Sequence, residues 1–548
     1  MRTDKQIYNL ANLLTFLISE TNGIALADTL ELAQASMLVR ENAQCHKLIC
    51  QFRTLLSGFQ QDEIDIDTIR QHPVAKALFI MFKNFPLPYQ EEHIHLTGSL
   101  SAEFIYPRLK KLLKGPNKNV LEKKIKETYG ENALPLNSVA DVDALIRLKE
   151  DEHFDRYLKI LLLPKLILID RKAHKDAAYH MAKELYTKYN VGRIRLKFSF
   201  SRVSAKEADA IPGLENVSSE DVVLGLYDGF KKYQDENPEF DFILSPSFRK
   251  EAHFFDADNY QSKKEFFLDQ VKEILTMIDK YPFLKSKLNN VDTVGNERDL
   301  YRKSHFEEMR LGLRKLHYKG FSIRSHHGET WHTLRKGVQA VDNAMNIWHI
   351  DTLEHGLSLG INPNYYYHML FERIIAKNME GHLITPGTSD YMELMDMDWN
   401  KSTDVRDKLV NGIKLTQEEI RLFIKSKFHT AREVEHYQHD VLNRMINKNV
   451  SLISLPSSNQ KLTYFLPDYK DHPFSWWEKK GVDLGVGTDN YITLSTNFID
   501  EMLILLFTDP DNLKITKLLM VVTGENRRPY ISQLLWKMRK VDYKQSEK

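Results

Sequence analysis

Two histidines one residue apart, His93 and His95, are the first residues of the chain whose types and spacing could do chemistry. They stand in the stretch EEHIHLTGSL, and in an extended strand residues i and i+2 point to the same face. Two imidazoles on one face are either half of a metal site or a coincidence on a solvated strand, and the pair alone does not decide between them. A catalytic zinc site would need further nitrogen or oxygen ligands and one open position for water.

Three later stretches offer the groups that would complete such a site. RSHHGET supplies His326, His327 and Glu329, LEHG supplies His355, and GTDN supplies Asp489. Adjacent residues of a strand face opposite ways, so only one of His326 and His327 can join the first pair. A lone histidine at the end of a strand is more often hydrogen-bonded or exposed than a ligand. The ordered set H-x-H, H-x-G-E, H-G and T-D, each at the end of its own predicted strand, is more specific and predicts a metal site.

Eight β-rich runs, separated by helical stretches, must position these residues. Most of the runs end in a cluster of His, Asp, Glu, Ser, Asn or Gly. In chain order they are HIHLTG, GRIRLKFSFSR, FDFILSPSFRK, NNVDTVGNE, GFSIRSHHGE, WHIDTLEHG, VSLISLPSSN and GVDLGVGTDN. Strands that alternate with helices favour a parallel sheet, and eight such units predict an α/β fold of the (β/α)8 TIM-barrel type. The active site of such a barrel lies at the carboxyl ends of its strands, where these polar clusters fall.

Helical segments surround the predicted barrel. Residues 1–88 repeat apolar side chains at helical spacing, and the stretch FPLPYQ then breaks the pattern. We therefore predict a helical N-terminal region over 1–88 and a metal-dependent barrel over 89–548. Two connections, at about 101–190 and 362–448, are too long for plain barrel loops, so we predict large helical insertions that cover the site or build an interface.

Composition sets broad limits on the function. Lys and Arg number 76 and Asp and Glu 75, a formal net charge of +1, so no general attraction to nucleic acid or to an anionic membrane is expected. The two cysteines, Cys45 and Cys50, are too few for a disulfide scaffold and fit a reducing compartment. No apolar run approaches the ~20 residues of a membrane span, so we expect a cytoplasmic protein without a membrane partner. Its partner would be a small molecule, and the insertions leave room for a homo-oligomer or a larger assembly.

Six blocks of the sequence resemble the adenosine and AMP deaminase family of the amidohydrolase superfamily. HIHLTGS, HHGE, EHG and GTDN look like its four signature blocks. VDTVGNE resembles its Asp-x-x-Gly-[Asn/Asp]-Glu block, and LPSSN resembles its Pro-x-Ser-Asn block. The blocks occur in family order from about residue 91 to beyond residue 489, interrupted by the two insertions, and residues 1–88 lie outside the resemblance.

The resemblance implies a role for each matching residue. One zinc ion per chain would have four protein ligands, which are His93, His95, His326 and Asp489. Glu329 matches the proton donor to the purine ring nitrogen beside the reacting carbon. His355 matches the histidine that orients the attacking water and helps to deprotonate it. Gly295 matches a glycine whose backbone amide contacts another ring nitrogen of the purine.

The implied reaction is hydrolytic deamination of an adenine nucleoside or its 5′-monophosphate, ribo or deoxy, to the hypoxanthine product and ammonia. A zinc ion lowers the pKa of water from about 15.7 to about 7, which supplies hydroxide at neutral pH. Attack on the carbon that carries the amine costs the ring its aromaticity, and a proton from Glu329 keeps negative charge from accumulating there. Glu329 must be protonated to donate, so we expect its pKa to be raised in the closed site.

The first block departs from adenosine deaminase, which has an Asp where this chain has Thr97. With Ser99, the block looks closer to the N-methyl-AMP deaminase-like branch. A carboxylate would repel a 5′-phosphate, whereas the hydroxyls of Thr97 and Ser99 can donate to one. The alternative is that both residues only cap the following helix. Arg202 and Arg249 follow the second and third strands and could reach a phosphate, although surface ion pairs are the commoner role there.

Two more departures concern residues beside the site. Asn490 stands where most of the family has a second Asp, and its amide would donate to the purine at any pH, although a different base stays open. Glu354 precedes His355 where the family has glycine, and this carboxylate would either raise the pKa of His355 or point outward. His327 is expected to pack behind the barrel or to be hydrogen-bonded to a neighbouring strand, and not to be a ligand.

The sequence therefore predicts a zinc-dependent deaminase, with two alternatives. One is another amidohydrolase reaction on a different base, against which the H-x-G-E block argues. The other is a deaminase-like scaffold or nucleotide sensor, with little or no turnover, in a larger assembly such as one of bacterial defence. The large helical additions would suit the second alternative.

Overall fold

Eight parallel strands of the described chain, in the order β1–β8, form the centre of the protein in a computed structural model. The structure describes residues 2–40, 42–149, 152, 154–200, 211–463 and 465–543. The strands are β1 Tyr89–His95, β2 Val191–Ser199, β3 Asp241–Arg249, β4 Asn290–Val294, β5 Ser322–His327, β6 Thr352–His355, β7 Ser451–Ser454 and β8 Leu484–Val486. Each overlaps one of the predicted β-rich runs, so the predicted (β/α)8 barrel is confirmed.

The barrel is closed between β8 and β1, just beyond the end of β8. Ile94 forms a parallel bridge with Asp489. The His95 N–H donates to the Asp489 carbonyl at 2.8 Å, and the Asp489 N–H donates to the His93 carbonyl at 2.8 Å. These two backbone bonds bring the residue after the last strand against the histidine pair on the first.

Alternation within the strands decides which side chains face the interior of the barrel. In β2, Ile194, Leu196 and Phe198 belong to the hydrophobic core, whereas Arg195 and Lys197 form ion pairs with residues of other strands. Successive side chains of a strand point to opposite faces, so the charged residues line the inside. Barrel interiors are usually filled by branched apolar side chains, and this interior carries charge instead.

Six helices of the described chain precede the barrel. They are Arg2–Glu20, Leu26–Ala35, Met37–Arg40, Ala43–Gln60, Ile66–Gln71 and Pro73–Lys83. They pack against helices near the end of the chain, because Phe52 meets Phe507 edge-on with ring centroids 5.6 Å apart and Arg70 pairs with Asp500 at 2.5 Å. Residues of both groups share one hydrophobic core. A domain boundary at residue 88 stays a prediction.

The remaining helices connect and follow the strands. Between β1 and β2 lie Ala102–Leu112, Lys118–Tyr129, Val139–Ile146, Phe154–Ile160, Leu162–Ile167 and Arg171–Tyr189, and between β6 and β7 lie Pro363–Glu380, Ser389–Asp396, Thr403–Val410 and Gln417–Asn447. Ser219–Glu236, Lys263–Lys280, Lys303–Tyr318 and Leu334–Asn343 follow β2 to β5, Pro456–Leu462 and Phe474–Lys480 follow β7, and Phe498–Thr508, Ile515–Thr523 and Arg528–Met538 follow β8. Both predicted insertions are therefore helical, and the β6–β7 group has a hydrophobic core of its own around Phe423 and Leu394.

Among the described residues, no helix combines the length and the apolar composition that crossing a membrane requires. The cytoplasmic location stays a prediction.

Candidate active site

Three histidine side chains meet at one end of the barrel interior. The Nε2 atoms of His93 and His95 lie 3.2 Å apart, and those of His95 and His326 lie 3.3 Å apart. β1 supplies the first two residues and β5 supplies the third. Asp489 Oδ1 lies 3.7 Å from His93 Nε2 and 3.6 Å from His95 Nε2. The structure thus brings the four predicted metal ligands together.

The spacing of these atoms fits a zinc ion. Ligand atoms about 2.0–2.2 Å from zinc in tetrahedral directions lie ~3.3 Å from one another, which is close to the two separations between ring nitrogens. Imidazole nitrogen and carboxylate oxygen are donors that zinc accepts readily. His93, His355 and Asp489 form a second group whose possible ligand atoms lie within 4.8 Å of one another, so His355 borders the same point.

Two of the histidines are held by carboxylates on their other ring nitrogens. His93 Nδ1 lies 2.7 Å from Glu354 Oε2, and His326 Nδ1 lies 3.1 Å from Asp292 Oδ1. A carboxylate accepts a hydrogen bond, so Nδ1 carries the proton and Nε2 keeps the lone pair that a metal needs. Burial lowers the pKa of His93 and of His326 well below the ordinary value, which keeps both rings neutral.

Asp489 reaches the cluster from a left-handed backbone with a φ of 60°. Its Oδ2 atom accepts from the Ser458 hydroxyl at 2.6 Å, and its Oδ1 atom accepts from the Asn490 amide at 2.5 Å. These two hydrogen bonds fix the orientation of the carboxylate.

Glu329 and His355 stand beside the histidine cluster. His355 Nε2 lies 3.8 Å from Glu329 Oε2, and His355 Nδ1 lies 2.9 Å from Asn459 Oδ1. The amide oxygen accepts from Nδ1, which leaves Nε2 of the neutral ring without a proton and close to Glu329. Burial raises the pKa of Glu329, in the direction that the sequence predicts for a proton donor.

A buried carboxylate that sequence reasoning missed fixes the turn that carries Glu329. Glu297 accepts hydrogen bonds from the backbone N–H groups of Gly328, Glu329 and Thr330 at 3.0, 2.6 and 2.7 Å. Lys250 Nζ lies 3.8 Å from the same carboxylate. Glu297 is the last residue of the VGNE block, so the sequence showed the residue itself. It did not show the contact, because the turn that Glu297 holds follows the next strand, β5.

Gly295 follows β4 with a φ of 108°, a conformation that L side chains rarely adopt. A Cβ atom there would lie 2.2 Å from Glu251 Oε2, so the position requires glycine. Its contact with a purine stays a prediction. Arg249 forms an ion pair with the same Glu251 at 2.5 Å, which is the commoner role expected for it. Arg202 lies outside the described residues.

Thr97 lies on the wall of a cavity of about 200 Å³ that His95 also borders. Lys165 lines the same cavity, and within the described part of the chain its ammonium has no carboxylate partner within 4.0 Å. Ser99 is fully buried, and its hydroxyl has no hydrogen-bond partner among the described residues. The helix Ala102–Leu112 has Ser101 as its N-cap residue, so the alternative that Thr97 and Ser99 only cap this helix is wrong.

Asn490 is turned towards protein groups. Its amide nitrogen donates to the Tyr157 hydroxyl and to Asp489 Oδ1. Its two N–H groups are therefore used within the chain, and its buried oxygen has no partner in the described structure. A Cβ atom on Gly98 would lie 1.8 Å from that oxygen, so the first block packs directly on Asn490. Donation from this amide to a purine, which stays a prediction, would require the amide to turn over.

Glu354 points into the barrel interior instead of outward or towards His355. It is fully buried and accepts hydrogen bonds from Lys197 at 2.8 Å and from Arg324 at 2.5 Å, in addition to that from His93. The expectation that Glu354 points outward is therefore wrong, and no side-chain hydrogen bond or ion pair within the described chain joins it to His355. The inward direction follows from the alternation of β6, in which Leu353 joins the hydrophobic core and Glu354 takes the opposite face, in register with His326. His355, with a φ of 66°, breaks the alternation.

His327 packs behind the barrel, as the sequence predicts. Its Nδ1 atom lies 2.7 Å from the Ser325 hydroxyl, and its ring lies against Phe306 and Trp348 with centroids 5.5 and 5.4 Å away. It takes no part in the histidine cluster.

No family model and no curated protein matches the sequence. Solved structures that are similar include an adenine deaminase from Arthrobacter aurescens, at 12% identity and a TM-score of 0.46, over 83% of this chain and 100% of that chain. An amidohydrolase with bound Zn from Burkhoderia ambifaria is similar at 13% identity and a TM-score of 0.46, over 84% and 95% of the two chains. An arabidopsis N6-mAMP deaminase is similar at 15% identity and a TM-score of 0.47, over 83% and 97%.

Proposed function

We propose that this protein is a zinc-dependent hydrolase that deaminates an adenine nucleoside or its 5′-monophosphate and releases ammonia. The observation that carries the proposal is the convergence of three histidines and a carboxylate beside a buried glutamic acid. Hydrolysis needs an activated water molecule, and attack on an aromatic ring needs a proton delivered to that ring. The site offers groups for both tasks.

One zinc ion would be held by His93, His95, His326 and Asp489. When bound, the ion would act as a Lewis acid and lower the pKa of a water molecule to about 7. The chain prepares the ligands for it, because Glu354 and Asp292 accept hydrogen bonds from the Nδ1–H groups of two histidines and so leave the lone pair of Nε2 to bind the metal.

Glu329 and His355 would move the protons of the reaction. Burial favours the protonated form of Glu329, which can donate to the ring nitrogen beside the reacting carbon. His355 Nε2, which Asn459 leaves without a proton, can accept one from the attacking water. The water oxygen then bonds to the ring carbon, the amine nitrogen takes the proton that His355 holds, and the bond from the carbon to this nitrogen breaks to release ammonia. The hydroxyl proton left on the carbon returns to Glu329, which restores both residues. The hypoxanthine product remains.

The cavity beside His95 supports a 5′-monophosphate as the substrate. Thr97 offers a hydroxyl and Lys165 an ammonium group that has no carboxylate partner in the described structure. A phosphate group accepts hydrogen bonds from both kinds of donor, whereas a neutral 5′-hydroxyl would leave the cation unpaired. The hydroxyl at position 97, in place of an Asp, also removes a source of repulsion.

Deamination by the zinc-loaded protein tests the proposal. The panel is adenosine, deoxyadenosine, AMP, dAMP and N-methyl-AMP, with the released amine and the hypoxanthine product both measured. We expect turnover of at least one compound, its loss on treatment with a chelator and its return with Zn²⁺. No product from any compound would overturn the deaminase proposal, and tight nucleotide binding without turnover would favour a nucleotide sensor.

Lys165→Gln tests the choice of substrate. We expect a higher KM for the monophosphate and an unchanged KM for the nucleoside, because only the phosphate meets Lys165. Lys183→Gln, on the exposed face of the helix Arg171–Tyr189, is the matched control. Equal effects of Lys165→Gln on both substrates would remove Lys165 from phosphate recognition.

A further inference from the structure

The interior of the barrel beside the histidine cluster holds a group of buried charged side chains. They are Lys197 of β2, Asp292 of β4, Arg324 of β5 and Glu354 of β6. Arg324 is 3% exposed and the other three are fully buried. Removing charges from water is costly unless each one is paired, so the arrangement of this group requires an explanation beyond packing.

Lys197 lies between two carboxylates that belong to different strands. Its Nζ atom lies 2.8 Å from Glu354 Oε1 and 3.1 Å from Asp292 Oδ2. An ammonium group has three donors, and here two of them are directed at two different carboxylates, which no other cation of the described chain bridges. Lys197 therefore fixes the position of one carboxylate relative to the other.

The second oxygen of each carboxylate contacts a different histidine. Glu354 Oε2 lies 2.7 Å from His93 Nδ1, and Asp292 Oδ1 lies 3.1 Å from His326 Nδ1. The contacts form one continuous chain, in the order His93, Glu354, Lys197, Asp292 and His326. Its two ends are two of the three histidines whose Nε2 atoms converge.

Arg324 does not take the same place in this arrangement. Its Nε atom lies 2.5 Å from Glu354 Oε1. Its Nη1 atom lies 3.3 Å from Oε2 of Glu92, the other carboxylate that it contacts. No hydrogen bond or ion pair within the described chain joins Arg324 to Asp292. It supports Glu354 alone, whereas Lys197 contacts both carboxylates.

We propose that Lys197 is a positioning residue that locks Glu354 and Asp292 together and thereby fixes the rings of His93 and His326 in the orientation that binds the metal. In the described chain its ammonium forms no hydrogen bond or ion pair with a metal ligand, although Lys197 is paired with His95 through the backbone and borders the same cavity as Thr97. It acts through the two carboxylates. Outer partners of metal-binding histidines orient the rings, and their loss typically costs 10–100-fold in metal affinity. The proposal rests on the proposed function only for the position of the metal site.

Lys197→Met tests the proposal by removing the charge and keeping a similar length. We expect the zinc affinity, measured by competition with a chromophoric chelator, to fall about 10–100-fold. The visible absorption of the Co²⁺-substituted protein should change as well, because it reports the geometry of the ligands. The control is Arg195→Met on the same strand, because Arg195 is also inside the barrel but pairs with Glu92 and contacts neither Glu354 nor Asp292. It should lower stability and leave both metal readouts unchanged.

A double variant tests whether Lys197 acts through Glu354. Glu354→Gln alone should weaken zinc binding, and Lys197→Met combined with Glu354→Gln should weaken it by less than the sum of the two separate losses, because the two residues share one chain of contacts. Additive losses would overturn the proposal. So would an unchanged zinc affinity and Co²⁺ spectrum in Lys197→Met.

Two further outcomes separate this proposal from the proposed function. If neither Lys197→Met nor Lys197→Gln gives soluble protein while Arg195→Met does, Lys197 serves the stability of the barrel and the positioning proposal is overturned. If the unmodified protein binds no zinc, the proposed function itself is lost. Tight zinc binding by the unmodified protein and by both Lys197 variants would overturn the positioning proposal alone.

Discussion

Glu329 and His355 are held by separate parts of the chain, although their side chains lie only 3.8 Å apart. Glu297 fixes the backbone around Glu329, and Asn459 fixes the ring of His355. Burial favours the proton on Glu329, and the amide oxygen of Asn459 keeps the proton of His355 on Nδ1. An acid and a base that are positioned independently can be tested independently.

Glu329→Gln keeps the shape of the side chain and removes the acid. We expect the zinc content to be unchanged and the turnover to fall by ~10²–10⁴-fold, because the ring nitrogen no longer receives a proton. Metal analysis and steady-state kinetics measure the two quantities. Glu307→Gln, in an exposed ion pair on the helix Lys303–Tyr318, is the control. A fully active Glu329→Gln protein would remove Glu329 from the proposed role.

The pH dependence of the reaction should carry the signature of the same residue. The acid works only when protonated, so kcat/KM should fall as the pH rises through the pKa of Glu329. Because burial raises that pKa, this fall should lie at a higher pH than an ordinary glutamate would give. The residual activity of Glu329→Gln should not show this fall of kcat/KM. Identical pH profiles for the two proteins would contradict the assignment.

At the scale of strands and helices, the sequence predicts the frame better than the interior. The eight strands are recognisable because most of the β-rich runs end in a polar cluster. The predicted histidine ligands belong to these same clusters. The partners of Lys197 were not recognisable, because alternation shows which face a residue takes but not which strand lies opposite. Lys197 and Glu354 are 157 positions apart in the chain. The left-handed backbone of His355, which breaks the alternation directly after Glu354, was not visible in any sequence pattern either.

The helical group between β6 and β7 is attached to the barrel through a buried carboxylate. Glu393 Oε1 accepts from the backbone N–H of Leu334, the first residue of the helix Leu334–Asn343, at 2.8 Å and from the Tyr366 hydroxyl at 2.7 Å. Burial raises the pKa of Glu393 to about 7. The folded protein therefore holds a proton on Glu393 at a pH where the unfolded chain has released it.

Glu393 should make the stability depend on pH in a defined direction. The folded state binds the extra proton between the ordinary pKa of 4.5 and the raised value of about 7. The contribution of Glu393 to the free energy of unfolding is thus complete below pH 4.5 and is lost as the pH rises through 7. Denaturant unfolding across this range should show a smaller fall in Glu393→Gln than in the unmodified protein or in the exposed control Glu380→Gln. The same slope in all three proteins would exclude this role.

At the scale of the whole molecule, the N-terminal helices and the last helices of the chain form one hydrophobic core with the barrel. Phe52 is fully buried within it and lies against Phe507. Arg70 and Asp500 add an ion pair across the same contact. A shared core predicts that the N-terminal helices and the barrel unfold together.

Phe52→Ala tests this coupling, because all six tryptophans lie beyond residue 88 and their fluorescence follows the rest of the chain. Removing a buried phenylalanine typically costs about 3–5 kcal/mol, through lost apolar burial and the cavity left behind. We expect the tryptophan-detected transition in denaturant to move to a lower midpoint and to coincide with the loss of helical circular dichroism. Met37→Ala, at a position that is 74% exposed, should change neither the tryptophan transition nor the loss of helical circular dichroism. A tryptophan transition that stays in place while part of the helical signal is lost earlier would show that residues 1–88 unfold as a separate domain.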